Sequence, residues 1–253
     1  MDELKEWLGE DNQLACDILR KKYLQEGETV EEFLNRISAG DEDVKLLIKE
    51  KKFMFGGRIA ANRGLQHQGK KITYSNCYVM KPPEDDLESI FETAKQMART
   101  YSRGGGCGVD ISQLSPKGAR INNAANETSG AVSFMELFDL TTKLVGMRGR
   151  RGALMISMDC SHPDLDDFIS IKNEADKITK ANISVRVSDE FMNAVVNDDL
   201  FDLVFKRKET GEEIKKTIKA KDMFMKLVEM NWKQAEPGIL FWDRITDYNF
   251  CLL

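Results

Sequence analysis

Tyr101-Ser102-Arg103-Gly104-Gly105-Gly106-Cys107-Gly108-Val109-Asp110-Ile111-Ser112 is the stretch that decides the fold, and it stands about thirty residues after Ser75-Asn76-Cys77-Tyr78. Three consecutive glycines cannot sustain a helix, so the helical pattern before Tyr101 must stop here, and a strand-like run begins at Cys107. Glycines without Cβ atoms, with main-chain N–H groups free, would also let a phosphate or sugar approach the backbone. A glycine triplet alone is more often an ordinary turn, and what surrounds it has to decide between the two readings.

Downstream, the pattern repeats strand, helix, strand. Asn76–Met80, Cys107–Ser112, Ala153–Met158, Asn182–Val187 and Gly238–Phe241 read as short strands, apolar enough to be parallel and buried on both faces. Amphipathic helices are expected at Asp86–Tyr101, Ala131–Met147, Leu165–Asn173, Asp189–Val196 and Ala220–Gln234, with a hairpin of Phe201–Lys206 and Glu213–Ile218 around Thr210-Gly211. Five β/α units result, and the sequence stops soon after the fifth with no expected capping helix.

Upstream, the chain reads as helical. Leu14, Ile18 and Leu19 stripe a helix over Asn12–Tyr23, Thr29-Val30-Glu31-Glu32 is a capping box opening a helix through Ile37, and a third runs over Asp41–Lys51. Phe55-Gly56-Gly57-Arg58-Ile59 interrupts the periodicity. A boundary is therefore expected between Phe55 and Thr73, giving a helical domain over 1–72 and an α/β domain over 73–253.

The composition narrows the class. The 253 residues carry a net charge of −5, against a nucleic-acid-wrapping surface, and Lys215, Lys216, Lys219 and Lys221 lie among Glu212, Glu213 and Asp222 as a solvated face. No apolar run is long enough for a membrane span and no leader pattern opens the chain, so a cytoplasmic protein is expected. Five scattered cysteines without CxxC argue against a disulfide framework or structural zinc; Cys16 and Cys160 read as small buried hydrophobes. His162 before Pro163 reads as a helix-entry residue, and Trp242 and Asp243 as packing or capping residues.

Seven segments then stand in a telling order: Ser75-Asn76-Cys77-Tyr78-Val79, Gly104–Ser112, Pro116-Lys117-Gly118-Ala119, Ser129–Phe134, Arg150-Arg151-Gly152-Ala153, His162-Pro163-Asp164 and Gly238–Asp243. In this order they resemble the large chains of ribonucleotide reductases, most closely the adenosylcobalamin-dependent class II type. The resemblance implies an α/β fold: a helical N-terminal domain, then the first half, about five β/α units, of a ten-stranded α/β barrel. It places the radical cysteine, the second reducing thiol and the C-terminal cysteines of that family beyond Leu253, and a bare half-barrel would leave one apolar face uncovered.

By the same resemblance, Cys77 is one of the two reducing thiols, Ser75, Asn76 and Gly106 touch the ribonucleotide substrate, and Cys107 is packing. Lys117 and Gly118 begin a loop that closes around a deoxynucleotide or ATP effector. Arg148, Arg150 and Arg151 belong to a loop that relays effector identity to the active site. Implied partners are a ribonucleoside diphosphate, a thioredoxin-like reductant and a second chain carrying the rest of the barrel; the implied cofactor is adenosylcobalamin, with its contacts unassigned. Two alternatives stay open: a nucleotide-binding chain without turnover, and a glycyl-radical reductase sharing the half-barrel.

Overall fold

The computed structural model describes residues 3–66, 69, 72–121, 124, 126–145, 152–173, 177–208 and 210–249. Two compact units divide it, Met1–Asn76 and Cys77–Leu253.

The first unit is helical: α1 (Glu3–Leu8), α2 (Gln13–Lys22), α3 (Val30–Ser38), α4 (Glu42–Lys49) and α5 (Gly57–Asn62). The capping box forms as expected. Thr29 Oγ1 accepts from Glu32 N at 3.2 Å and Glu32 Oε2 accepts from Thr29 N at 2.9 Å, so two orphan donors of α3 are satisfied reciprocally. Phe33, Leu34 and Ile37 of α3 are fully buried with Ile48 of α4 and Ala60 of α5. One expectation needs correction: the glycine-rich break at 55–59 is the start of α5. Residues 3–8 form a further helix within the stretch expected to be helical, though no periodicity marked it. A Cβ on Gly57 would stand 2.8 Å from the Tyr23 hydroxyl, so the glycine admits that close contact at the expense of helix propensity.

The second unit is built on a five-stranded sheet: β1 (Cys77–Val79), β2 (Gly106–Asp110), β3 (Leu154–Asp159), β4 (Ala181–Val187) and β7 (Gly238–Phe241), every pair parallel and in the order β1-β2-β3-β4-β7. Crossovers are supplied by α6 (Leu87–Ser102), α7 (Ala131–Leu144), α8 (Leu165–Ser170), α9 (Asp189–Asn197) and α10 (Ala220–Gln234). An antiparallel hairpin, β5 (Leu200–Lys206) and β6 (Glu213–Lys219), is inserted before α10. Strands that neighbour in sequence also neighbour in space, and right-handed crossovers between them put the helices on a single face. That is the winding of a barrel wall, in contrast to a doubly wound sheet, where the order reverses and helices cover both faces.

The register shows what each face carries. Cys107, Val109, Leu154, Ile156, Met158, Ala181, Ile183, Val185 and Val187 share one face and are buried in the main core with Met97, Met135, Phe138, Phe168 and Phe191 from the helices. Their alternates on β2, β3 and β4 are Gly106, Gly108, Asp110, Met155, Ser157, Asp159, Asn182, Ser184 and Arg186. The expectation of strands apolar on both faces, leaving an apolar face bare, is thereby corrected: the face without helices is mostly polar. β3 alternates buried and half-buried throughout, and the edge strand β1 exposes Cys77 and Val79. A further helix, α11 (Trp242–Asp247), follows β7 directly, where no capping helix was expected.

Candidate functional site

The glycine stretch does a different job from the one its composition suggested. Gly104, with φ of +87°, ends α6 in a Schellman arrangement: its N–H donates to Tyr101 O at 2.8 Å and that of Gly105 donates to Thr100 O at 3.0 Å. Neither N–H is free for a ligand. A Cβ on Gly105 would lie 2.7 Å from both Thr100 and the Tyr78 ring, so this glycine lets α6 close onto β1. Gly106 is buried, and Gly108 has open space where its Cβ would be.

Cys77 opens β1 and is exposed, paired in register with Gly106. Its side chain therefore belongs to the helix-free face, with Gly106 and Gly108 as the nearest strand positions on that side. Cys107 pairs with Tyr78 and points the other way, into the core, where burial raises its thiol pKa. Cys160, just past β3, is also buried and its pKa is pushed up to about 11, mainly by desolvation. Cys16 is buried in the first unit, and Cys251 lies outside the described residues. Among the described cysteines, Cys77 alone is both exposed and on the open face.

Ser75 and Asn76 belong to the first unit, both exposed; Asn76 Oδ1 accepts from Arg58 Nε at 3.3 Å. Arg148, Arg150 and Arg151 lie outside the described residues.

A charged network that was not anticipated crosses the open face. Arg186 of β4 reaches Asp110 of β2 (Nη1 to Oδ2, 3.1 Å) and Asp159 of β3 (Nη2 to Oδ2, 3.0 Å), and its guanidinium lies 4.2 Å from the Trp242 ring centroid. Ser157 Oγ donates to Asp110 Oδ2 at 2.7 Å, while Ser161 donates to Asp159 Oδ1 from both its N–H and its hydroxyl at 2.9 and 2.7 Å. The polar alternates Asp110, Ser157, Asp159 and Arg186 were the available signal, masked by the apolar residues between them. The network holds one cation and two carboxylates, so it suits hydroxyl and amide groups better than phosphate.

Lys117 and Gly118 start a loop, running to Gly130, whose ends are pinned by one carboxylate. Asp164 accepts from Lys117 N at 3.0 and 3.1 Å and from Ala131 N at 3.1 Å. Burial raises the Asp164 pKa, and the Lys117 N–H bond works against that shift. Inside the loop Gly118 N donates to Thr128 O and Thr128 N to Ala119 O, with Gly118 at φ of +79°. Lys117, Ser129, Ser133, Glu136 and Asp167 line an adjoining cleft of about 280 Å³.

His162 keeps the clamp in place. Its Nε2 lies 2.9 Å from Leu114 O, its Nδ1 accepts from Asp164 N at 3.0 Å, and its ring packs edge-on to Phe205 of the hairpin. It stands three residues before the start of α8 as a buried helix-entry residue. Asp243 in turn accepts from Asp189 N at 2.7 Å, at the start of α9.

A family model described as "Ribonucleotide reductase, barrel domain" matches residues 75–252, the part that forms the one-sided parallel sheet. The chain belongs to the ribonucleotide reductase family. A vitamin B12-dependent ribonucleoside-diphosphate reductase of Thermoplasma acidophilum is 39% identical over 188 residues, 73% of this chain and 24% of that protein. A vitamin B12-dependent ribonucleotide reductase of Streptomyces avermitilis is 29% identical over 262 residues, 93% of this chain and 26% of that protein. The chain spans about a quarter of the length of these curated relatives. The class Id ribonucleotide reductase alpha subunit of Actinobacillus ureae superposes with a TM-score of 0.73 at 20% identity, over 96% of this chain and 42% of that one, which shows a shared fold.

Among the described residues no helix is long and apolar enough to cross a membrane, and no three His, Cys, Asp or Glu side chains gather to hold a metal ion.

Proposed function

We propose that this chain supplies the first half of the barrel wall of a ribonucleoside-diphosphate reductase, with Cys77 as one of its two reducing thiols. The observation that carries this reading is the exposed Cys77 on the helix-free sheet face, in register with Gly106. Replacing the ribose 2′-hydroxyl by hydrogen takes two electrons: two thiols become one disulfide and the hydroxyl leaves as water. Cys107 and Cys160 are buried and Cys107 faces the core, so the second thiol comes from elsewhere, in this reading from a second chain that carries the rest of the barrel. A thioredoxin-like dithiol then reopens the disulfide.

Within this reading Gly106, together with Ser75 and Asn76, receives the ribonucleotide. The loop from Lys117 to Gly130 receives a deoxynucleotide or ATP effector, supported by the small cleft that Lys117 and Ser133 line, and Arg148, Arg150 and Arg151 relay its identity. The units Met1–Asn76 and Cys77–Leu253 serve as the helical domain and the half-barrel.

The relatives' names imply cobalamin, and adenosylcobalamin would supply the radical that starts the reaction. The described residues give a corrin no assigned contact: both ring nitrogens of His162, the one described histidine, are already engaged.

The test supplies the second half-barrel in trans and measures deoxynucleotide formed per enzyme with adenosylcobalamin and a dithiol. Cys77→Ser should abolish multiple turnover while Cys107→Ser keeps most of it. Full activity in Cys77→Ser would remove the reading.

A further inference from the structure

We propose that the helical unit carries a ligand site of its own, a cleft that binds a flat heteroaromatic anion of the nucleotide type. The cleft has a volume of about 750 Å³ and is lined by Asn35, Phe55, Ile59, Arg63 and Tyr74, all within the first unit and outside the residues matched by the barrel-domain family model. Its size and its mix of aromatic walls with a few polar groups are those of small-molecule sites.

Two arginines of this wall differ in a way that points to a ligand. Arg36 is consumed by structure: Nε and Nη2 hold Glu28 at 2.5 and 3.0 Å, Nη1 donates to Arg63 O at 2.7 Å and Nη2 to Tyr23 O at 3.1 Å. Arg63 is half-buried, yet its guanidinium has no carboxylate partner among the described residues and instead lies 4.9 Å from the Phe55 ring centroid. Phe55 is itself fixed by Phe53, edge-on with centroids 4.9 Å apart. A partly desolvated cation without a counter-ion is costly, and an anion entering the cleft offsets that cost.

The stacked pair is also a platform. A guanidinium resting on one ring offers its other face to a second flat ring. The Tyr74 hydroxyl donates to Gln66 Oε1 at 2.6 Å, which fixes a second aromatic face in the same lining. The exposed Asn35 side-chain amide makes no hydrogen bond among the described residues, leaving donor and acceptor for the edge of a heterocycle. Ring, edge and charge together select a nucleotide over either a plain phosphate or an uncharged nucleoside.

The experiment labels the full chain with 8-azido-ADP and maps the photoproducts. Labelling is expected within residues 53–76. ADP should compete at least tenfold better than adenosine or pyrophosphate, and Arg63→Met and Asn35→Ala should each weaken labelling about tenfold without lowering the melting temperature. Cys77→Ser should leave this labelling unchanged, which separates the site from the reductase reading. Labelling confined to residues 77–253, equal competition by pyrophosphate, or full labelling in Asn35→Ala would overturn the proposal.

Discussion

His162 should make the second unit acid-sensitive, and removing it should remove that sensitivity. Burial holds its imidazole below the ordinary value of 6.5, and the geometry shows why: Nδ1 accepts from Asp164 N, so a proton there would set N–H against N–H. The neutral ring with hydrogen on Nε2 satisfies both Leu114 O and Asp164 N. As pH falls below 6.5 the unfolded chain takes up a proton that the folded chain refuses, so stability is complete above that pH and is lost below it. The limiting slope, which holds while the folded ring stays neutral, is about 1.4 kcal/mol per pH unit. Asp164, whose carboxyl pKa is raised by burial, contributes with the opposite sign as pH rises through its own range, so the diagnostic quantity is a difference between proteins. His162→Phe keeps a ring against Phe205 but orphans Leu114 O and Asp164 N, costing about 2–4 kcal/mol at pH 7.5. Urea unfolding should show that gap narrowing as pH falls below 6.5, by at most about 1.4 kcal/mol per pH unit. With only two histidines in the chain, nitrogen-detected spectra should also show His162 titrating below the ordinary value of 6.5. A gap that stays constant with pH, or a His162 ring that titrates at or above 6.5, would refute the reasoning.

In a Cys251→Ser background, one thiol per chain should react rapidly with Ellman's reagent and Cys77→Ser should abolish it, because Cys16, Cys107 and Cys160 are buried; rapid labelling that survives Cys77→Ser would count against the open-face assignment. Gly130→Ala should destabilise by about 2–4 kcal/mol in thermal unfolding, since its φ is +95° and a Cβ would meet both the Asp164 carboxylate and Lys117 N at 2.8 Å. An unchanged melt would show that the loop ends can move apart without cost. The isolated chain should form no deoxynucleotide from any ribonucleotide with adenosylcobalamin and a dithiol, since the described residues offer one accessible thiol for a two-thiol reduction; measurable turnover would sink that argument.

The order of strands and helices was legible because each signal was local. The helix Ala220–Gln234 and the strand Gly238–Phe241 begin and end where their apolar spacing says they should, and the Thr29 capping box could be read from four residues. Three of the four six-residue helices, α1, α5 and α11, escaped because fewer than two turns leave little periodicity to detect, and the glycines at 56 and 57 signal a break as readily as a start. The Schellman ending of α6 was hidden in a different way. A glycine triplet promises free N–H groups, and only the preceding carbonyls of Thr100 and Tyr101 reveal that two of them are spent.

The open face was harder to read, for a reason set by barrel walls in general. Leu154-Met155-Ile156-Ser157-Met158-Asp159 looks continuously apolar until its last residues, because one methionine and one serine alternate with buried aliphatics. A strand covered on one side by helices and facing a lumen on the other needs only a few polar side chains, and their meaning depends on partners some tens of residues away: Asp110 with Arg186, Asp159 with Arg186, Ser157 with Asp110. The register brings those groups together, and register is not written in any one strand. Cys77 could be singled out from its motif, but its position on the open face, opposite in sense to Cys107, follows from pairing Cys77 with Gly106 and Tyr78 with Cys107. A shift of one residue in that pairing would turn Cys77 toward the helices and Tyr78 toward the lumen. The small side of Gly105, which admits the Tyr78 ring beneath α6, is therefore what keeps the thiol on the face where chemistry can reach it.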